Sequence, residues 1–166
     1  MKKINVLKLS IAAAMSVAVL GASVAKADSV TATANASIAT ALSVTEGTQV
    51  NFGKVAPSAA AGTVVLAVGG TTTDTNVTRL SGVTAVAGAF TLAGEASATY
   101  SVTLPASTTV DDGGNSMTVN AFTNNAGSAL DGGGAGTFNV GATLNVGASQ
   151  AAGTYSGSYA VTVNYN

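Results

Sequence analysis

The sequence predicts an all-β protein, an Ig-like β-sandwich that follows a cleaved leader. Three observations carry this. Apolar residues recur at every second position in run after run, which is the period of a half-buried strand. The runs are separated by clusters of Gly, Asn and Asp, residues that tolerate the backbone angles of tight turns. After residue 27 no stretch has the 3.6-residue apolar period of a helix, while Thr, Val and Gly dominate. A barrel is the structural alternative.

The elements can be marked in order. Residues 1–27 read as a secretory signal peptide: MKKINVLK is basic, 11–24 is apolar and Ala-rich, and Ala25-Lys26-Ala27 is a small-x-small cleavage site. Val30 to Val44 alternates on even positions, long enough to break into two strands with a joint at 35–40. Residues 28–37 are then an N-terminal extension and 38–166 the sandwich domain. VNF at 50–52 is a short apolar piece. TVVLAV at 63–68 is continuously apolar and reads as a strand buried on both faces. Phe90 and Leu92, then Tyr100, Val102 and Leu104, then Met117 and Val119 alternate in turn. Phe138, Val140, Ala142, Leu144 and Val146 form a long even-numbered run. The chain ends GTYSGSYAVTVNYN, with Tyr155, Tyr159, Val161, Val163 and Tyr165 on one side. DDGGN at 111–115, NNAG at 124–127 and DGGGAG at 131–136 supply turns. No fixed-period repeat is present, which argues against a solenoid or propeller.

Composition excludes much chemistry. The chain has no His, Cys or Trp, so Ser-His-Asp and Cys-His catalysis, thiolate metal sites, imidazole ligands and disulfides are unavailable. Four of its six basic residues lie in the leader; beyond it Lys54 and Arg79 face seven acids. That balance argues against nucleic acid and against an anionic membrane surface as partners. Asp111-Asp112, with Asn115 and Asp131, offers hard oxygen ligands, but the spacing matches no calcium motif and a turn role fits better. Lys54, between NFG and VAP, reads as a solvated bend. DGGGAG lacks the Lys-Ser/Thr of a phosphate loop. The expectation is a non-enzyme without cofactor or metal, acting through its surfaces.

Those surfaces are the two chain ends. The C-terminal run resembles the last strand of chaperone–usher pilins: Tyr165 is penultimate, Val163, Val161 and Tyr159 alternate before it, and Gly153 is fourteenth from the end counting Asn166 as first. NFGKV at 51–55, GEASATYSVTLP at 94–105 and the ending from 147 to 165 also resemble a family of small secreted bacterial proteins. That family carries a domain of unknown function and is similar to spore-coat-U-type and archaic fimbrial subunits. The resemblance implies an Ig-like sandwich one strand short, completed by a periplasmic chaperone and then, at an outer-membrane usher, by the N-terminal arm of the next subunit. The product is a head-to-tail fimbria on the cell surface, serving adhesion or biofilm. Val30, Ala32, Ala34, Ala36 and Ile38 would face inward from the donor arm. Gly153, Tyr155, Tyr159, Val161, Val163 and Tyr165 would mark the acceptor groove. This chain departs from the pilin pattern in lacking a disulfide and in having an Ala-rich arm. The alternative is a self-contained secreted β-sandwich that binds carbohydrate or a host surface, which needs an exposed aromatic platform.

Overall fold

The computed structural model describes residues 27–166. The signal-peptide reading falls on residues outside that range, Ala27 excepted. The chain divides into two units, Met1–Ala36 and Ser37–Asn166. In the first, residues 27–36 are exposed and belong to no strand. The second is all-β and sandwich-like, and among the described residues there is no helix.

Its strands are β1 (Ser43–Thr48), β2 (Lys54–Pro57), β3 (Gly62–Leu66), β4 (Thr72–Thr75), β5 (Val77–Leu80), β6 (Gly88–Ala93), β7 (Tyr100–Thr103), β8 (Ser107–Asp111), β9 (Ser116–Asn124), β10 (Ala135–Val146) and β11 (Thr162–Tyr165). The spine is β10, the twelve-residue strand. All five residues of its even-numbered run are buried. Val140 pairs with Gly88 of β6 and with Asn124 of β9, so these neighbours lie on opposite sides of β10. Thr143 likewise pairs with Val65 of β3 and Asn120 of β9. The strands β6 and β3 therefore share one side of β10 end to end, while β9 runs along the other. β1 extends the sheet beyond β6, β4 extends it beyond β3, and β8 pairs with β9. β2 and β5 form a separate ribbon, and β11 pairs with β7.

Two clusters form the core. Phe90, Leu92, Tyr100, Leu130, Phe138 and Val140 make the first, with Phe90 and Phe138 stacked 5.1 Å apart. Val64, Val119, Ala142, Leu144 and Val146 make the second. Phe122 packs against both. It reaches them because β9 carries a bulge: Gly141 pairs with Thr123 but Thr143 pairs with Asn120. The extra residue, Ala121, has φ 50°, and it turns the inward face from odd positions (Met117, Val119) to even ones (Phe122).

Several expectations are corrected. The Val30–Val44 run holds no strand before Ser43; a single extended segment has no stability without a ladder partner. The 63–68 piece is not buried on both faces: β3 alternates, with Val64 at 0% and Val65 at 42% exposure, since one face of its sheet is open. Lys54 is exposed as expected but opens β2 instead of a bend. The closing run is not one strand. Only Thr162–Tyr165 makes a ladder, and Ser156 adds an isolated bridge to Asp111. The break lies opposite Pro105, between β7 and β8, where the partner chain has no N–H to offer. The alternation survives: Tyr155, Tyr159, Val161, Val163 and Tyr165 are half-buried, and the residues between them are exposed.

Candidate functional site

The C-terminal segment runs antiparallel along the chain from Tyr100 to Asp111. Tyr165 pairs with Tyr100, Thr108 donates its hydroxyl to the Ser158 carbonyl at 2.7 Å, and Ser156 exchanges backbone bonds with Asp111. All of these lie on one side of the segment. No backbone ladder joins its other side to any described strand. β1 is in the same position, with β6 on one side only. The two free edges flank the first core cluster, since Leu42 and Val50 from one and Tyr159, Val161, Val163 and Tyr165 from the other pack against it. Between these two edges runs a seam that no backbone hydrogen bond crosses.

A tyrosine stands at each end of the seam. At one end the Tyr165 hydroxyl donates to the Thr40 carbonyl at 2.9 Å and accepts from the Glu95 amide at 2.6 Å. The Glu95 carboxylate accepts the Thr40 amide at 2.8 Å, and this bond holds its pKa below the ordinary glutamate value. Both backbone polar groups of Thr40 are thus held. Gly94 makes the clamp feasible, because any Cβ there would overlap the Tyr165 hydroxyl and press on Leu42 and Leu130. At the other end the Tyr159 ring lies 5.0 Å from Phe122, tilted by 32°. Its hydroxyl sits beside Gly88, buried and without a hydrogen-bond partner. Burial, and then the negative charge of Glu46, push its pKa up to about 12.

Between the tyrosines the β1 wall is uncovered. Val44 pairs with Leu92 and Glu46 with Phe90, so these side chains share the face that Leu92 and Phe90 turn to the core. Leu92 and Phe90 are 4% and 6% exposed, yet Val44 is 37% exposed and Glu46 lies open.

The structure brings Tyr159, Val161, Val163 and Tyr165 together along this seam. It does not bring Tyr155 or Gly153 there. Tyr155 closes a local loop, donating to the Ala151 carbonyl at 2.8 Å and accepting from Gln150 Nε2 at 2.9 Å. Gly153 is an exposed bend against the Asp112 carboxylate. Val30 and Ile38 are 92% and 96% exposed, and Ala32, Ala34 and Ala36 are exposed as well. The sequence reading missed Val44, Glu46 and Val50 as seam residues. The signal was present, because Leu42 and Val44 close the even-numbered run and Glu46 keeps its parity.

The other polar groups have structural roles. The Asp112 carboxylate accepts the amides of Asn115 (2.7 Å) and Gly114 (3.0 Å), and that of Asp131 accepts those of Ala135 and Gly133 (both 2.8 Å). These bonds hold both pKa values below the ordinary aspartate value. Arg79 is paired with Asp74 at 2.7 Å and donates to the Phe52 carbonyl at 2.9 Å. Among the described residues no three His, Cys, Asp or Glu side chains gather as a metal site.

A family model described as a domain of unknown function (DUF4402) matches residues 42–165. The chain belongs to this family. The matched domain runs from Leu42, the first half-buried residue before β1, to the clamp tyrosine, Tyr165, and so takes in both walls of the seam. No curated protein and no solved structure matches the chain.

Proposed function

We propose that this domain is a structural subunit of a bacterial surface filament, joined to its neighbours by exchange of a β-strand. The observation that carries the reading is the seam: two edges without ladder partners flank one apolar cluster, and the core-facing Val44 lies uncovered beside buried Leu92. A free edge is a template for another strand, and an added segment gains backbone bonds while its alternate side chains fill pockets. The occupant is residues 28–37 of a second copy, with Val30, Ala32, Ala34 and Ala36 facing inward and Ile38 next in the same parity. Those residues alternate apolar and polar, are exposed, and belong to no strand. Joining arm to seam is head-to-tail, so it yields open filaments and not closed pairs. The similarity of the C-terminal run to chaperone–usher pilins supports the same assembly, with export to the periplasm, a periplasmic chaperone and an outer-membrane usher as partners. No catalysis is assigned, since the chain has neither His nor Cys.

A self-contained secreted sandwich has one observation in its favour, the Tyr165–Thr40 bond that already spans one end of the seam. As a carbohydrate binder it lacks an aromatic platform: Phe90, Phe138, Tyr100, Phe122, Tyr159 and Tyr165 all pack into the first cluster. The test is to express the chain from Asp28 and from Ile38. The longer form should give SDS-resistant, heat-labile ladders; the shorter one should form none and should need an added peptide of residues 28–38, bound one to one, to stay soluble. Two equally stable monomers would refute the proposal.

A further inference from the structure

Between the two tyrosines, Glu46 is the one charge on the β1 wall of the seam among the described residues. Its register partner is Phe90, in the first core cluster. Along the facing segment, Val161 and Val163 lie between the two tyrosines, and on the β1 side Leu42, Val44 and Val50 complete the wall. Among the described residues no cation pairs with Glu46. An inward-pointing charge on an edge strand keeps unwanted strands from docking. It also sets a condition on any strand that does dock, because a bulky apolar side chain laid over the carboxylate strips its water without giving it a partner. An Ala side chain leaves room for that water.

Resting on the strand-exchange reading above, we infer that Glu46 determines which strand the seam accepts: it admits an arm with small inward residues and refuses one with a bulky apolar residue at its level. The arm of this chain has that form. Its inward positions are Val30, Ala32, Ala34, Ala36 and Ile38, larger at the ends and small through the middle. An Ala-rich arm is a poor choice for filling an apolar groove, since each Ala buries far less area than Val or Leu. In a groove with a carboxylate in its wall it is the arm that fits. The seam spans six residue-to-residue steps from Tyr159 to Tyr165, roughly 20 Å at ~3.3 Å per residue, so three inward side chains of the occupant meet it and one of them lies at the Glu46 level.

The test is a cycle in the full chain. Ala32→Leu, Ala34→Leu and Ala36→Leu are each combined with wild-type Glu46, with Glu46→Gln and with Glu46→Val, and ladder formation is quantified on unheated SDS gels. The arm is exposed and Glu46 lies on an open edge, so these changes leave the core intact, and Glu46→Gln keeps the side-chain shape. One of the three leucines should reduce assembly about tenfold against wild-type Glu46, equivalent to roughly 1.4 kcal/mol, and both Glu46 variants should restore it. If every leucine arm assembles as well as the native arm, or if the loss persists in both Glu46 variants, Glu46 has no such role, though strand exchange stands. If even the native chain forms no ladder, strand exchange itself fails and the inference falls with it.

Discussion

Tyr165 and Tyr159 occupy equivalent positions at opposite ends of one seam, yet their hydroxyls have opposite consequences. Tyr165 both donates and accepts, so Tyr165→Phe should cost about 1–2 kcal/mol in urea unfolding, the net value of two neutral hydrogen bonds. Tyr159 has a buried hydroxyl with no partner, so Tyr159→Phe should be neutral or stabilising in the same assay. Their pH behaviour separates them further. The pKa of Tyr159 is raised from 10.0 to about 12, which means the folded state holds its proton where the unfolded state has released it. Its contribution to stability is complete below pH 10 and is lost as pH rises through about 12. Tyr159→Phe should flatten that part of an alkaline stability profile; an unchanged slope would contradict the burial of the phenol. The alternation of both tyrosines was legible in the sequence because a period of two needs no tertiary knowledge. The clamp was not, since its partner, Thr40, lies 125 residues away.

At the scale of elements, β10 was readable residue by residue because it is flanked by strands on both sides and its even positions from Phe138 to Val146 are all buried. The short strands β4, β5 and β8 went unread, having no more than two large apolar residues each and being defined by their partners. The bulge in β9 left a trace in the change of parity between Val119 and Phe122. Ala121 pays for that change with a left-handed backbone conformation, which costs a non-glycine residue about 1–2 kcal/mol. Ala121→Gly should therefore raise stability by up to about 1 kcal/mol in denaturant melts, the remainder being offset by the greater freedom of Gly in the unfolded chain. The turns respond to acid. Asp112 and Asp131 have pKa values lowered by the backbone amides they accept, so the stability they contribute is present above the ordinary aspartate value of 3.8 and is lost as pH falls through their lower folded values. Asp131→Asn should weaken that acid dependence in thermal melts. The turns were legible from DDGGN and DGGGAG, whose residues carry the local bonds within themselves.

For the whole molecule, fold class was legible and the uncovered seam was not. Composition and period two suffice for an all-β sandwich, but an unpaired edge is a property of which strands are absent from a neighbour's side. The expected N-terminal strand illustrates the point: alternation marks residues 30–38 as able to form a strand, and the chain supplies no ladder for them. Under the proposed assembly that ladder comes from a second copy. The absence of cysteine makes this directly measurable. Single cysteines at Val30, Ala32, Ala34 or Ala36, each combined with Val163→Cys in the full chain, can form a disulfide only where the two Cβ atoms approach to about 4 Å. Under mild oxidation at least one pairing should give a covalent ladder of two and more subunits on a denaturing, non-reducing gel. Monomer bands alone at all four positions would contradict strand exchange between copies.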